Sequence, residues 1–455
     1  PPIKCVSDAT GYNLHAHSRL HARMPSSANV SVQAKDGLTT RTGRSSTSSR
    51  LLHPRPGGGS PERTSQAGAS MRATPAAITI MGLVAGSAHA WASESFKGEI
   101  SLERHHTSNA LDSGFALPDF YLALRGSLER AVDLGSTRVT FGAAGHAIGY
   151  DRYKIEDDRA LGLTVAAERK FGERVEMRGT LSWKLASEGD DLEVEDTIIG
   201  IRTVTETMAA ALQSGIDLGM GMVANIEAGM ERETPRRTYF EAEVIDPLLL
   251  TPRKDRFQLG AKLTRTTGAL AVGVLAGSEL IVAGRQPDAP YSYDLAHHRA
   301  IVDARWTKKR VTVEVAFGLE QLRGAGGGIN MLRPAYAAAA SYRFADGSTL
   351  RASVAANFDT RNTDDPVATR YARQELGLTM PLAARLTLGI GLYNSWRDYI
   401  TLGGGEHARG LFASADYKLS EKVSLVIGAD LSRRDLTEEG RINMTDLRAA
   451  LRAAL

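Results

Sequence analysis

The chain has 455 residues, 42% of them hydrophobic, with 45 glycines, one cysteine and a formal charge of +3. That length suits one large barrel or about two to three soluble domains, and the lone Cys5 excludes a disulfide framework or a thiolate metal centre. The positive charge is local: residues 1–90 hold ten Lys and Arg against three Asp and Glu, which leaves 45 basic and 49 acidic side chains beyond them. The high isoelectric point therefore does not argue for nucleic-acid binding, and no apolar run reaches the roughly 18 residues of a helical membrane span.

Residues 1–70 are rich in Ser, Arg, Gly, Thr and Pro and lack any hydrophobic period, so they are expected to be a disordered leader. The sequence opens on Pro1, and Met71 is the expected biological start; a genuine disordered extension is the alternative. Residues 71–90 form a secretory-type signal. Arg72 is a thin basic region, residues 76–86 are apolar, and Ala88-His89-Ala90 puts small residues at −3 and −1 of a cleavage before Trp91. A short buried helix is the competing reading.

From Trp91 onward the sequence alternates. Strands are expected at 95–105, 118–129, 137–150, 158–170, 174–187, 196–215, 221–234, 255–266, 269–283, 297–307, 310–323, 334–345, 348–360, 368–380, 384–399, 407–418, 421–434 and 440–455. The clearest lie near the end. Leu386, Leu388, Ile390 and Leu392 interleave with Thr387, Gly389, Gly391 and Tyr393. Val423, Leu425, Ile427, Ala429 and Leu431 interleave with Ser424, Val426, Gly428, Asp430 and Ser432.

A strand in lipid must pair all its backbone polar groups, so a spanning sheet must close on itself. One face then wants Leu, Val, Ile and aromatic rings, and the other tolerates Gly, Ser, Thr and charge. The fold class that follows is all-β: a transmembrane antiparallel up-and-down barrel of about 16–18 strands over residues 91–455.

Links of two kinds alternate. Short ones include 171–173, 267–268, 307–309, 346–347 and 381–383; long ones include 106–117, 188–195, 235–254, 284–296, 324–333 and 361–367. Short turns are expected on the periplasmic side and long loops outside. Pro247-Leu248-Leu249-Leu250 stands out in the longest loop, either as a constriction or lipid contact, or as a locally packed turn. Trp183, Trp306, Tyr342, Phe344, Trp396 and Tyr399 fall near strand ends, as interfacial rings do. The chain's last residues dissent. Leu447, Leu451 and Leu455 recur at a helical i+4 spacing, and no terminal aromatic closes the final strand.

Charges recurring opposite the apolar face are the candidate lumen lining. The basic ones are Arg125, Arg178, Lys184, Arg202, Lys262, Arg305, Arg343, Arg351, Arg373 and Lys418. The acidic ones are Glu168, Glu206, Glu227, Asp303, Glu314, Glu320, Glu375, Asp416 and Asp430. Mixed signs fit a general, weakly selective conduit or a polar lattice that fills it.

Two stretches bring a family into view: Trp396-Arg397-Asp398-Tyr399 with the Gly-rich link, Ala413 to Leu419 and Leu425 to Arg434, and at the start Ile100-Ser101-Leu102-Glu103 with Asp119-Phe120-Tyr121-Leu122. Over residues 95–435 the chain resembles proteobacterial outer-membrane β-barrel porins. The resemblance implies a Gram-negative outer-membrane barrel, often of unassigned substrate and in some members linked to polysaccharide passage.

Chemistry motifs are sparse. His106-Thr107-Ser108-Asn109 matches the H-x-S-N core of outer-membrane lipid hydrolases. His106 could activate Ser108, with Asp112 or Asp119 orienting the imidazole. The competing reading is a solvated loop. His105-His106 and His297-His298 each place one imidazole per face, and the acidic run 190–196 could hold Ca²⁺ or simply be solvated. Gly326-Gly327-Gly328 and Gly403-Gly404-Gly405 lack the context of phosphate loops. No metal or other cofactor is expected.

Expected partners are outer-membrane lipid and lipopolysaccharide, the barrel assembly machinery and further copies of the chain, with no nucleic acid. A non-enzymatic, porin-like channel for small polar or saccharide solutes is the leading expectation. A non-conducting structural or export barrel, and a lipid hydrolase using His106 and Ser108, are the alternatives.

Overall fold

The computed structural model describes residues 96–455 except 112–115, 195–196, 241–242, 246–251, 285–293, 325–327, 362–367, 402 and 438–439; side chains of 190–200 and 240–251 also fall outside the described set. The leader, the signal segment, Asp112, the 247–250 leucines, most of Gly326–Gly328 and the acidic run's side chains therefore lie outside the described residues.

The described chain is almost entirely strand: β1 Phe96–Thr107, β2 Asp119–Leu134, β3 Thr137–Tyr150, β4 Asp158–Phe171, β5 Val175–Val194, β6 Thr197–Gly219, β7 Met222–Phe240, β8 Glu243–Ile245, β9 Lys254–Thr267, β10 Leu270–Ala283, β11 Leu295–Lys308, β12 Val311–Gly324, β13 Asn330–Arg343, β14 Thr349–Asp359, β15 Thr369–Ala383, β16 Leu386–Tyr399, β17 Gly405–Lys418, β18 Val423–Leu436 and β19 Gly440–Ala454. Each pairs antiparallel with its sequence neighbours, and β19 pairs with β1, which closes the sheet. The three-residue β8 pairs with β7, while β7 also pairs directly with β9, so eighteen strands form the ring.

Direct cross-strand partners share a face, so one residue fixes the face of all. The inner face is the one whose side chains reach across several strands. Arg256 of β9 donates to the Thr360 carbonyl beyond β14, and Tyr121 of β2 donates to Asp446 of β19. The opposite face carries Leu102, Phe141, Leu163, Leu181, Leu212, Leu259, Val274, Phe317, Ile390, Leu411, Ile427 and Leu451, each 45–64% exposed. An apolar surface running round the whole ring is far larger than a soluble monomer tolerates. It is the lipid-facing belt of an outer-membrane barrel.

On β18 the outward apolar stretch runs from Val423 to Leu431. Nine residues at about 3.3 Å each, tilted by about 40°, rise about 23 Å, the height of a hydrocarbon band. Trp306, Tyr342 and Phe344 sit on the short-turn side of this belt, and Trp183 and Trp396 sit toward the long-loop side. Tyr399 departs from expectation: it is the partner of Thr369 on the inner face.

The short turns gather at the end that also holds the start of β1 and the end of β19. Gly172 and Gly268 adopt φ of +64° and +60° there, a region that costs a side-chain-bearing residue strain. In the β13–β14 turn the Asp346 carboxylate accepts the Ser348 backbone N–H and hydroxyl, which holds its pKa below the usual aspartate range.

Two expected long loops are partly strand instead. β5 and β6 stay paired from Val175↔Ile216 up to Val194↔Thr197, and β7 continues to Phe240. At 20, 23 and 19 residues these strands exceed the roughly 9–11 needed to cross a membrane, so their hairpins stand above the belt. The final strand also resolves the dissenting leucines. Leu447 and Leu451 face outward on β19 because a spacing of four is even, and even spacings share a face on a strand as well as on a helix.

Candidate functional site

The interior is the candidate site. Pairing places Arg125, Glu168, Arg178, Lys184, Glu227, Lys262, Asp303, Arg305, Glu314, Glu320, Arg343, Arg351, Arg373, Glu375, Asp416, Lys418 and Asp430 on the inner face. Arg202 is corrected. It pairs with Gly189 on the outward face, where its guanidinium binds the carbonyls of Lys154, Ile155 and Asp157. Glu206 likewise faces outward, opposite Leu185, and accepts from Trp183 Nε1 at 2.7 Å. The reason is depth: both sit where the tall hairpin clears the hydrocarbon, and there charge no longer reports which face is wet.

Inner charges are largely paired across strands. Lys262 Nζ lies 2.8 Å from Asp303, Arg305 Nε 3.1 Å from Glu314 and Arg125 Nη1 3.1 Å from Glu103, while Arg373 Nη2 lies 2.8 Å from Glu375 along β15 itself. Long side chains also lie flat against the wall, because the residue directly opposite is glycine. Gln258 covers Gly229, Glu227 covers Gly260, Asp303 covers Gly273, Arg299 covers Gly277, Phe412 covers Gly391, Tyr393 covers Gly410 and Arg448 covers Gly428. A Cβ at Gly410 would come within 2.6 Å of the Tyr393 ring, and one at Gly428 within 2.7 Å of Arg448 Nε. A ring of eighteen strands is wide enough for an aqueous channel, and these glycines keep bulky side chains from projecting into it.

One sector is lined twice. β14 pairs with β13 only up to Tyr336↔Ala356, then continues to Asp359 paired with β15 alone. Its end turns inward: Phe358 packs on Ile281, Leu295 and Leu322, which face in from β10, β11 and β12. Polar ties fix the layer. The Phe358 N–H donates to Glu320 at 2.8 Å, the Thr360 hydroxyl to Glu279 at 2.7 Å, and Arg256 Nη1 to the Thr360 carbonyl at 2.8 Å. Arg361 lies 3.7 Å from Glu231, and His297 lies 3.7 Å from Glu279 and 3.6 Å from Glu320. The inward layer narrows the conduit toward the long-loop end. Of this network only Glu320 and His297 are singled out from sequence. Pro334, which has no N–H to give and sits where β13 loses its β14 partner, is the signal that could have found it.

A second network locks the seam where β1 meets β19. His105 stacks on Tyr121 with ring centroids 4.3 Å apart, and its nitrogens lie 3.1 Å from Glu103 and 3.1 Å from Asp446. Glu103 and His105 are 3% and 6% exposed, so both must find their polar partners within the wall, Glu103 from His105, Arg125 and Ser101 and His105 from Glu103, Asp446 and Tyr121.

In the H-x-S-N stretch the described side chains hold other partners. His106 and Ser108 share the outward face, but the Ser108 hydroxyl accepts the Thr445 N–H at 2.8 Å and His106 packs against the Phe120 ring. Asp119 is occupied by the backbone N–H groups of Phe120, Arg152 and Tyr153. The adjacent histidines split between faces, His297 inward and His298 outward on Ser278. Among the described residues, no three His, Cys, Asp or Glu side chains converge in metal-binding geometry.

No family model and no curated protein matches the chain. Solved structures do. The chain is similar to the copper transporter OprC, at 10% identity and TM-score 0.48 over 80% of each chain. It is similar to the siderophore receptor PirA from Pseudomonas aeruginosa, at 11% and 0.44 over 80% of this chain and 81% of that one. It is similar to P. aeruginosa OccK3, at 12% and 0.43 over 79% and 96%. Likeness at this level assigns neither a family nor a substrate.

Proposed function

We propose that the protein is a passive diffusion channel of the Gram-negative outer membrane, passing small polar or saccharide solutes through a charged, water-filled interior. The observation that carries this reading is the opposition of glycine to the large inner side chains, from Gly229 and Gln258 to Gly428 and Arg448. A barrel meant to be filled gains from side chains that project and interdigitate; here they are laid along the wall. Charges of both signs, mostly neutralised in pairs, favour hydrated neutral or weakly charged solutes over one ion. The inward layer of β14 sets the size limit.

The test is conductance of the purified, folded chain in planar bilayers. Discrete, ohmic steps that fall as neutral saccharides of increasing size are added support the proposal. Folded protein that inserts and gives no steps overturns it.

A further inference from the structure

We propose that the outward face carries a binding site for the phosphate of a phosphorylated glycolipid, built by Arg409, Arg433 and Arg441 around Asp435. The three guanidinium groups come from β17, β18 and β19 and converge on one carboxylate. Arg441 Nε lies 3.0 Å from Asp435, Arg433 Nη2 3.3 Å and Arg409 Nη2 4.0 Å. Pairing puts all four on the lipid side: Arg409 is opposite Arg433, and Asp435 is opposite Arg441. One carboxylate cannot neutralise three guanidinium groups, so the cluster keeps two surplus charges. Arg409 and Arg441 remain more than half exposed.

Depth identifies the occupant. Leu411 and Leu431, both half exposed on the lipid side, lie one turn of the alternation below Arg409 and Arg433. The cluster therefore stands at headgroup level with an apolar track beneath it for acyl chains. Guanidinium forks match phosphate oxygens two at a time, with geometry that a lysine lacks. Asp435 holds the forks in a common orientation while the site is empty of ligand charge.

The same construction recurs on the far side of the ring. Arg232 and Arg253 converge on Asp255 at 2.6 and 2.7 Å, Arg236 binds Glu206, and the three arginines line a cavity of about 270 Å³ with Glu206, Met208 and Thr234. Two arginine-rich clusters, both outward and toward the long-loop ends of their strands, fit a leaflet whose lipids carry phosphate.

The test uses the full chain folded in detergent, with bisphosphorylated lipid A, the same lipid enzymatically dephosphorylated, and inorganic phosphate as probes. Retention of lipid is read by native mass spectrometry. Bisphosphorylated lipid A should be retained at least about tenfold more strongly than its dephosphorylated form, and R409Q/R433Q/R441Q should lose that preference at the β17–β19 site. Equal retention of the two lipids by the unaltered chain overturns the proposal and needs no variant to fold. Displacement of the lipid by an equal concentration of inorganic phosphate also overturns it, by reassigning the site to the free ion.

Discussion

Gly391 shows how single residues set the bore. Its Cα faces the Phe412 ring so closely that any Cβ would collide with it and with the Leu376 carbonyl. Gly391→Leu should swing Phe412 into the interior and lower single-channel conductance, while Gly179→Ala, on the outward face of β5 with nothing within 4 Å of a new Cβ, should leave conductance unchanged. At the seam, His105→Ala strands a buried Glu103 with one partner fewer. A lost buried partner costs about 1–3 kcal/mol, read as a lower temperature for conversion of the folded, fast-migrating form to the unfolded one. His106→Ala, by contrast, should leave both folding and membrane lipid composition unaltered, since its ring only packs on Phe120. An altered lipid profile would restore the hydrolase reading. These residues differ in how readily sequence reveals them. Alternation gave the inner face of Asp416, Lys418 and Asp430 directly, whereas Glu103, His105 and Asp446 gain meaning only when β19 is brought beside β1.

Elements were legible wherever hydrocarbon presses on one side. Each of the eighteen strands of the ring overlaps one of the alternating runs, because a lipid face forbids a misplaced charge. Legibility ended where the membrane ends. Above the belt both faces are wet, so the upper parts of β5, β6 and β7 read as loops, and Arg202 and Glu206 read as inward. The inward turn of β14 escaped for another reason. Its outer face packs on the barrel's own inner wall, and an apolar Phe358 there looks the same in sequence as one facing lipid. Cutting its ties with Glu279→Ala and Glu320→Ala should free this layer and raise both conductance and open-channel noise. Unchanged conductance would remove it as the size limit. Deleting residues 440–455 should abolish the heat-modifiable folded form, since β1 and β18 would each keep a free edge.

The described residues form one curved sheet that separates two solvents. Eighteen strands, an apolar belt about 23 Å high and a glycine-relieved interior all express that separation. Cysteine scanning of β18 tests it most directly, because Cys5 is the sole native cysteine and is easily replaced. In the chain reconstituted in bilayers, single cysteines at Ser424, Asp430 and Ser432 should react with a water-soluble thiol reagent. Those at Val423, Leu425, Ile427, Ala429 and Leu431 should resist it and, when spin-labelled, relax with oxygen dissolved in the lipid. Uniform reaction along the strand, with no two-residue period, would contradict the account.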